Sequence, residues 1–123
     1  MNHQEASKWA CRKLGSLFAL ALVAGPAFAE EAPNFQNGKD RYDETCIACH
    51  GDDGKGTIAG IPNFTSATGP LQKSSEVLLA SIRDGLDRPE ADMAMPPMGG
   101  NPDLTEDDLR DILHYMIKTF KRR

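Results

Sequence analysis

Apolar residues recur along this chain at helical intervals, and nowhere do they alternate convincingly with the period of two that a strand needs. Three segments carry the helical spacing. The first runs from about Asn34 into Cys46-Ile47-Ala48-Cys49-His50, where Phe35, Gly38, Tyr42 and Cys46 fall three and four apart on one face. Gly38 on that face weakens a helix unless another backbone has to approach closely there. The second covers residues 74–85, with Ser74 placed to cap its start, Leu78, Leu79 and Ile82 along one side, and Gly85 placed to end it. The third is the plainest. Thr105 stands at the N-cap, Glu106, Asp107 and Asp108 suit the positive end of the helix dipole, and Leu104 can staple to Leu109. Leu109, Ile112, Leu113, Met116, Ile117 and Phe120 then form one continuous stripe. The pattern predicts an all-α domain.

The connections do not suit a simple bundle. Residues 51–68 and 86–102 are long and rich in Gly and Pro, longer than compact helix pairs of this size require. An internal group for them to wrap around would account for both.

Ahead of the helices, residues 1–15 hold Lys8, Arg12 and Lys13 against a single acid, Glu5. An uncharged apolar run, residues 16–24, follows, then Gly25-Pro26 and the small-residue site Ala27-Phe28-Ala29. This layout predicts a secretory signal over 1–29 and a mature domain over 30–123, exported to the periplasm; the alternative is an uncleaved N-terminal membrane anchor. Residues 1–29 carry a balance of +2, so their removal takes the chain from −4 to −6 and leaves Cys46 and Cys49 as its only thiols. An acidic mature surface argues against nucleic acid as a partner. Lys121-Arg122-Arg123 is the one basic cluster, placed where cations suit a helix end. A core this small often leans on a metal, a disulfide or a cofactor.

Cys46-Ile-Ala-Cys49-His50 is the centre of the chemistry. A redox dithiol of the thioredoxin type needs a strand-to-helix turn, and strands are not expected here. Zinc needs four ligands, and after export only two Cys and the two histidines His50 and His114 remain, with no reason to converge; no zinc is expected. A bare disulfide leaves His50 and the long loops without a role. Covalent haem attachment uses every residue: one helical turn offers both sulfurs to the porphyrin edge, and the next residue turns an imidazole toward the iron. A second iron ligand should come from another segment, and residues 92–100 hold Met93, Met95 and Met98 among prolines, off any periodic face. Met95 directly precedes Pro96-Pro97, which stiffen the chain in an extended form, so it is the favoured ligand and Met98 the alternative. His114 is expected on the surface, and Tyr42 and Tyr115 between packed helices.

On these residues the chain resembles the class I cytochromes c over most of residues 34–120. Gly38 and Tyr42 match that family's Gly-x-x-x-aromatic signature, and Cys46, Cys49 and His50 its haem stretch. Ile61-Pro62-Asn63-Phe64 resembles its Gly-Pro-Asn-Leu segment, with Ile61 in place of the glycine, and Met95-Pro96-Pro97 resembles its distal loop. Ile112 and Tyr115 match the C-terminal positions that cross the first helix at its glycine. The loop lengths are not those of the mitochondrial type. The resemblance implies a cytochrome c fold of three main helices and long loops around one haem c. It also implies an acceptor role for the Pro62 carbonyl toward His50. The expected function is a single-electron carrier, not an enzyme, with His50 and Met95 on iron, docking transiently with redox protein partners that carry a basic rim. Alternatives are a haem peroxidase or gas sensor with an open sixth position, or a docked subunit of a larger oxidoreductase.

Overall fold

A computed structural model describes residues 31–89 and 91–122; the expected secretory signal lies outside them. Helix α1 spans Phe35–Thr45, α2 Ile47–His50, α3 Ser75–Asp84 and α4 Glu106–Phe120, with single 3-10 turns at Pro70–Gln72 and Pro97–Gly100. The described residues contain no β-strand, only an isolated antiparallel bridge between Leu86 and Met95. The domain is all-α, as expected, with the first expected helix divided at Cys46.

Local chemistry explains each boundary. Asn34 caps α1 by accepting from the backbone N–H of Gln36 at 3.0 Å and of Asn37 at 3.1 Å. Thr105 and Asp108 form a reciprocal capping box at the start of α4. Gly85 ends α3 at φ +76 and ψ 177, a conformation that only glycine adopts without strain.

Helices α1 and α4 cross in contact at Gly38. A Cβ there would stand 2.0 Å from the carbonyl oxygen of Asp111, so only a glycine permits this approach. Beside the crossing, Asp111 is buried, and its two oxygens accept from the Asn34 backbone N–H at 2.6 Å and from Asn37 Nδ2 at 2.8 Å. The α4 stripe packs as its spacing foretells: Leu109, Ile112, Leu113, Met116 and Phe120 are buried and Ile117 half-buried. Tyr42 is fully enclosed, its ring centroid 5.3 Å from that of Tyr115 and 5.5 Å from that of Phe120. Such aromatic pairs add about 0.5–1.5 kcal/mol each beyond their burial. The tyrosines are helix-packing residues.

The loop after α2 is tied back onto it. Thr57 donates its backbone N–H to the Cys49 carbonyl at 2.9 Å, and the Gly56 N–H reaches the His50 carbonyl at 2.9 Å. Tyr42 Oη donates to the Gly51 carbonyl at 2.7 Å from the other side. These bonds hold the Cys-Ile-Ala-Cys-His turn from both flanks.

Candidate cofactor and metal centre

Cys46 sits at the joint of α1 and α2, where its N–H donates to the Tyr42 carbonyl at 2.8 Å and its own carbonyl accepts from His50 at 3.0 Å. The single turn of α2 therefore carries the histidine directly back over the first cysteine. Cys46 and His50 line a cleft of about 820 Å³. A smaller lobe of about 400 Å³ adjoins it, lined by Cys49 as well and sharing Cys46, His50, Ile61, Met93 and Met95 as walls. A cleft walled chiefly by apolar side chains with a few polar groups suits a bound organic group. Its floor comes from the buried side of α3, through Leu78 and Ile82, and from Ile112, Leu113 and Met116 of α4.

The imidazole of His50 is buried and stacks on Phe64, centroids 4.5 Å apart and planes 19° from parallel. Burial, with the Arg88 charge adding to it, pushes its pKa below the ordinary histidine value. It is thus held neutral, the form in which a ring nitrogen binds a metal. Its Nδ1 is buried without a hydrogen-bond partner. The bond expected from His50 to the Pro62 carbonyl is not formed here: Pro62 does line the cleft, but the ring packs against Phe64 instead. A buried polar atom without a partner is costly unless something completes it.

The thiols do not suit redox exchange. They form no disulfide, and burial, followed by the field of Cys49, pushes the Cys46 thiol up to about 12. A dithiol oxidoreductase needs the opposite shift. Nor do the residues gather around zinc. His114 packs edge-on to Phe35 at 6.4 Å and does not line the cleft, and no three His, Cys, Asp or Glu side chains converge among the described residues.

The three methionines fall in different places. Met95 is half-buried and lines both lobes, and its backbone is pinned by two bonds to Leu86, N–H to carbonyl at 2.8 Å and carbonyl from N–H at 2.9 Å. Gly85 makes that possible, since a Cβ on it would stand 2.5 Å from the Met95 carbonyl oxygen. Met93 also reaches both lobes but is 50% exposed. Met98 lies in the left-handed region at φ 57 and ψ 22, packs against the core cluster and lines neither lobe. The Phe64 stack, the Leu86 bridge and the cations Lys73 and Arg88 on the cleft wall have no counterpart in the sequence reading. Only the position of Leu86 directly after the helix-ending Gly85 could have hinted at its part.

The residues present fit a haem. The cleft is lined chiefly by apolar side chains; two thiols and a neutral imidazole with an unsatisfied nitrogen stand on one segment, and a thioether comes from another. Comparison with known proteins agrees. Residues 33–116 match the family model described as cytochrome C oxidase, cbb3-type, subunit III. The chain is 35% identical to cytochrome c-554(548) of Halomonas halodenitrificans over 71 residues, 58% of this chain and 80% of that one. It is 30% identical to cytochrome c-555 of Prosthecochloris aestuarii over 92 residues, 71% of this chain and 89% of that one. It is also 33% identical to the fructose dehydrogenase cytochrome subunit of Gluconobacter japonicus over 68% of this chain, which covers 18% of that longer protein.

Proposed function

The chain belongs to the class I c-type cytochromes, haem-based electron carriers with covalently bound haem c, and on that premise we propose that it carries single electrons through a His50/Met95-ligated iron. The haem supplies a one-electron iron couple. Cys46 and Cys49 would hold it as thioethers, which would confine it to the cleft whatever the oxidation state. His50, kept neutral by burial and stacked on Phe64, would be one iron ligand. Met95 would supply the second protein ligand, and a thioether on iron, like the apolar lining, would stabilise the reduced state. The single observation that carries the ligand assignment is the Leu86 bridge, which pins Met95 on the cleft wall, whereas Met98 lines neither lobe. Two ligands supplied by the protein would leave no vacancy for peroxide or a gas, which favours carriage over catalysis.

Residues 1–29 would direct export, placing the carrier in the periplasm, where it meets donor and acceptor proteins transiently. No helix among the described residues is long and apolar enough to cross a membrane. The likeness to a named dehydrogenase cytochrome subunit favours, as a second reading, a docked subunit of a larger oxidoreductase. Carbon monoxide added to the reduced mature protein at neutral pH tests the carrier reading. An unchanged spectrum with reversible one-electron titration supports it; ready binding means an open sixth position. Co-purification with a larger enzyme distinguishes the second reading.

A further inference from the structure

The His50 imidazole and the Phe64 ring lie face to face, centroids 4.5 Å apart and planes 19° from parallel, and both are buried. Phe64 comes from the loop after α2, and its position is fixed by several contacts. Its backbone N–H donates to the Gly54 carbonyl at 2.7 Å. Asn63 Oδ1 accepts from the Thr65 N–H and from Thr65 Oγ1, both at 2.8 Å, which closes a tight turn with Phe64 at its centre. The ring of Phe120, at the end of α4, stands 6.2 Å from that of Phe64. Phe120 in turn is backed by Gly54, where a Cβ would lie 2.8 Å from its ring. The Phe64 face is therefore a fixed surface.

The backbone of His50 is anchored as firmly. Its N–H donates to the Cys46 carbonyl at 3.0 Å, and its carbonyl accepts from the Gly56 N–H at 2.9 Å. These bonds still leave the ring free to turn about its Cβ–Cγ bond. A hydrogen bond from the second ring nitrogen is the usual restraint on a metal-binding imidazole, but Nδ1 has no such partner here. Stacking supplies the restraint instead: turning the imidazole away from parallel drives its edge into the Phe64 face.

We propose that Phe64 is a positioning residue for the iron ligand His50, fixing the plane of the imidazole in place of a hydrogen bond from Nδ1. This rests on the haem reading of the same cleft. The plane matters because an imidazole overlaps with iron in a direction set by its ring, so its rotation changes the electronic splitting of oxidised low-spin iron. The role needs a flat side chain. Leucine, which stands at this place in the segment that residues 61–64 resemble, fills space without aligning a ring.

The test compares matured Phe64→Leu and Phe64→Met with Leu109→Val, which trims a fully buried core residue that does not line the cleft. The measurement is the electron paramagnetic resonance spectrum of each oxidised protein, whose g values report the planes of the iron ligands and not stability. Phe64→Leu is expected to shift the g values and broaden their lines, because the ring then takes several orientations, and Leu109→Val to leave them unchanged. Where Phe64→Leu does not mature, Phe64→Met carries the same expectation. Unchanged g values in the Phe64 variants, or a shift of equal size in Leu109→Val, overturn the positioning role while leaving the haem reading intact. An unaltered protein with no haem signal would instead overturn the haem reading itself.

Discussion

Gly38 lies against the backbone of Asp111, so close that a methyl group on it would sit 2.0 Å from the Asp111 carbonyl oxygen. The same aspartate accepts from Asn34 and Asn37, so α1 is held to α4 by a steric fit and by polar bonds at one point. Because Cys46 begins where α1 ends, this crossing also sets where the thiols and His50 stand. Alanine is intrinsically better than glycine in a helix by roughly 0.5–1 kcal/mol. Here the clash with backbone outweighs that gain, and Gly38→Ala should destabilise by about 2–3 kcal/mol, as overpacked sites do. In a domain this small that lowers Tm by roughly 10–20 °C. Thermal unfolding of the mature protein checks it; an unchanged Tm would mean the helices do not cross there.

Asp108 ties the polar side of the crossing to acid stability. Its carboxylate accepts from Asn37 Nδ2 at 3.0 Å and from the Thr105 backbone N–H at 2.9 Å and Oγ1 at 2.7 Å, with Arg41 Nε 3.3 Å away. The Asn37 bond leads in holding its pKa down to about 2 from 3.8, against the cost of burial. Because the folded value is the lower one, the unfolded chain binds more protons as acid is added. The stabilisation is complete above the unfolded pKa and is lost as pH falls through the folded one. It amounts to about 2 kcal/mol, lost between roughly pH 5 and pH 2. Urea midpoints across that range should fall less steeply for Asp108→Asn than for the unaltered protein. Parallel curves would contradict this.

The two candidate methionines separate by the same kind of reasoning. Met95→Ala should abolish the long-wavelength sulfur-to-iron band of the oxidised protein, lower the potential and open the iron to carbon monoxide. Met98→Ala should keep the band. Gly85→Ala, which drives a Cβ into the Met95 carbonyl, should weaken the band without removing either sulfur. Loss of the band in Met98→Ala alone would reverse the assignment.

Elements governed by neighbours in sequence were legible; those set by distant contacts were not. The Thr105–Asp108 box and the α4 stripe are local patterns, and the structure returns both. Gly38 was legible as a glycine that needed a reason, and Asp111 supplies the place. The burial of Asp111 itself was not, because only the crossing turns an acid on α4 inward toward Asn34 and Asn37. At the site, Cys46, Cys49 and His50 could be read from one turn of helix. Met95 and Met98 could not be told apart so readily, because a single bridge from Leu86 and a left-handed residue decide which one reaches the cleft. Net charge speaks to the outer surface and not to the cleft. The acidic total led to the expectation of a partner with a basic rim; it could not tell that the charged residues described on the cleft wall would be Lys73 and Arg88.

Covalent attachment through Cys46 and Cys49 is the claim on which the ligands, the cleft and the electron all depend. The intact mass of the exported, purified protein under denaturing conditions tests it most directly. The expected result is the chain from Glu30 onward plus one haem, with no thiol left to alkylate. A mass equal to the bare polypeptide, with both cysteines alkylated or joined to each other, would contradict it.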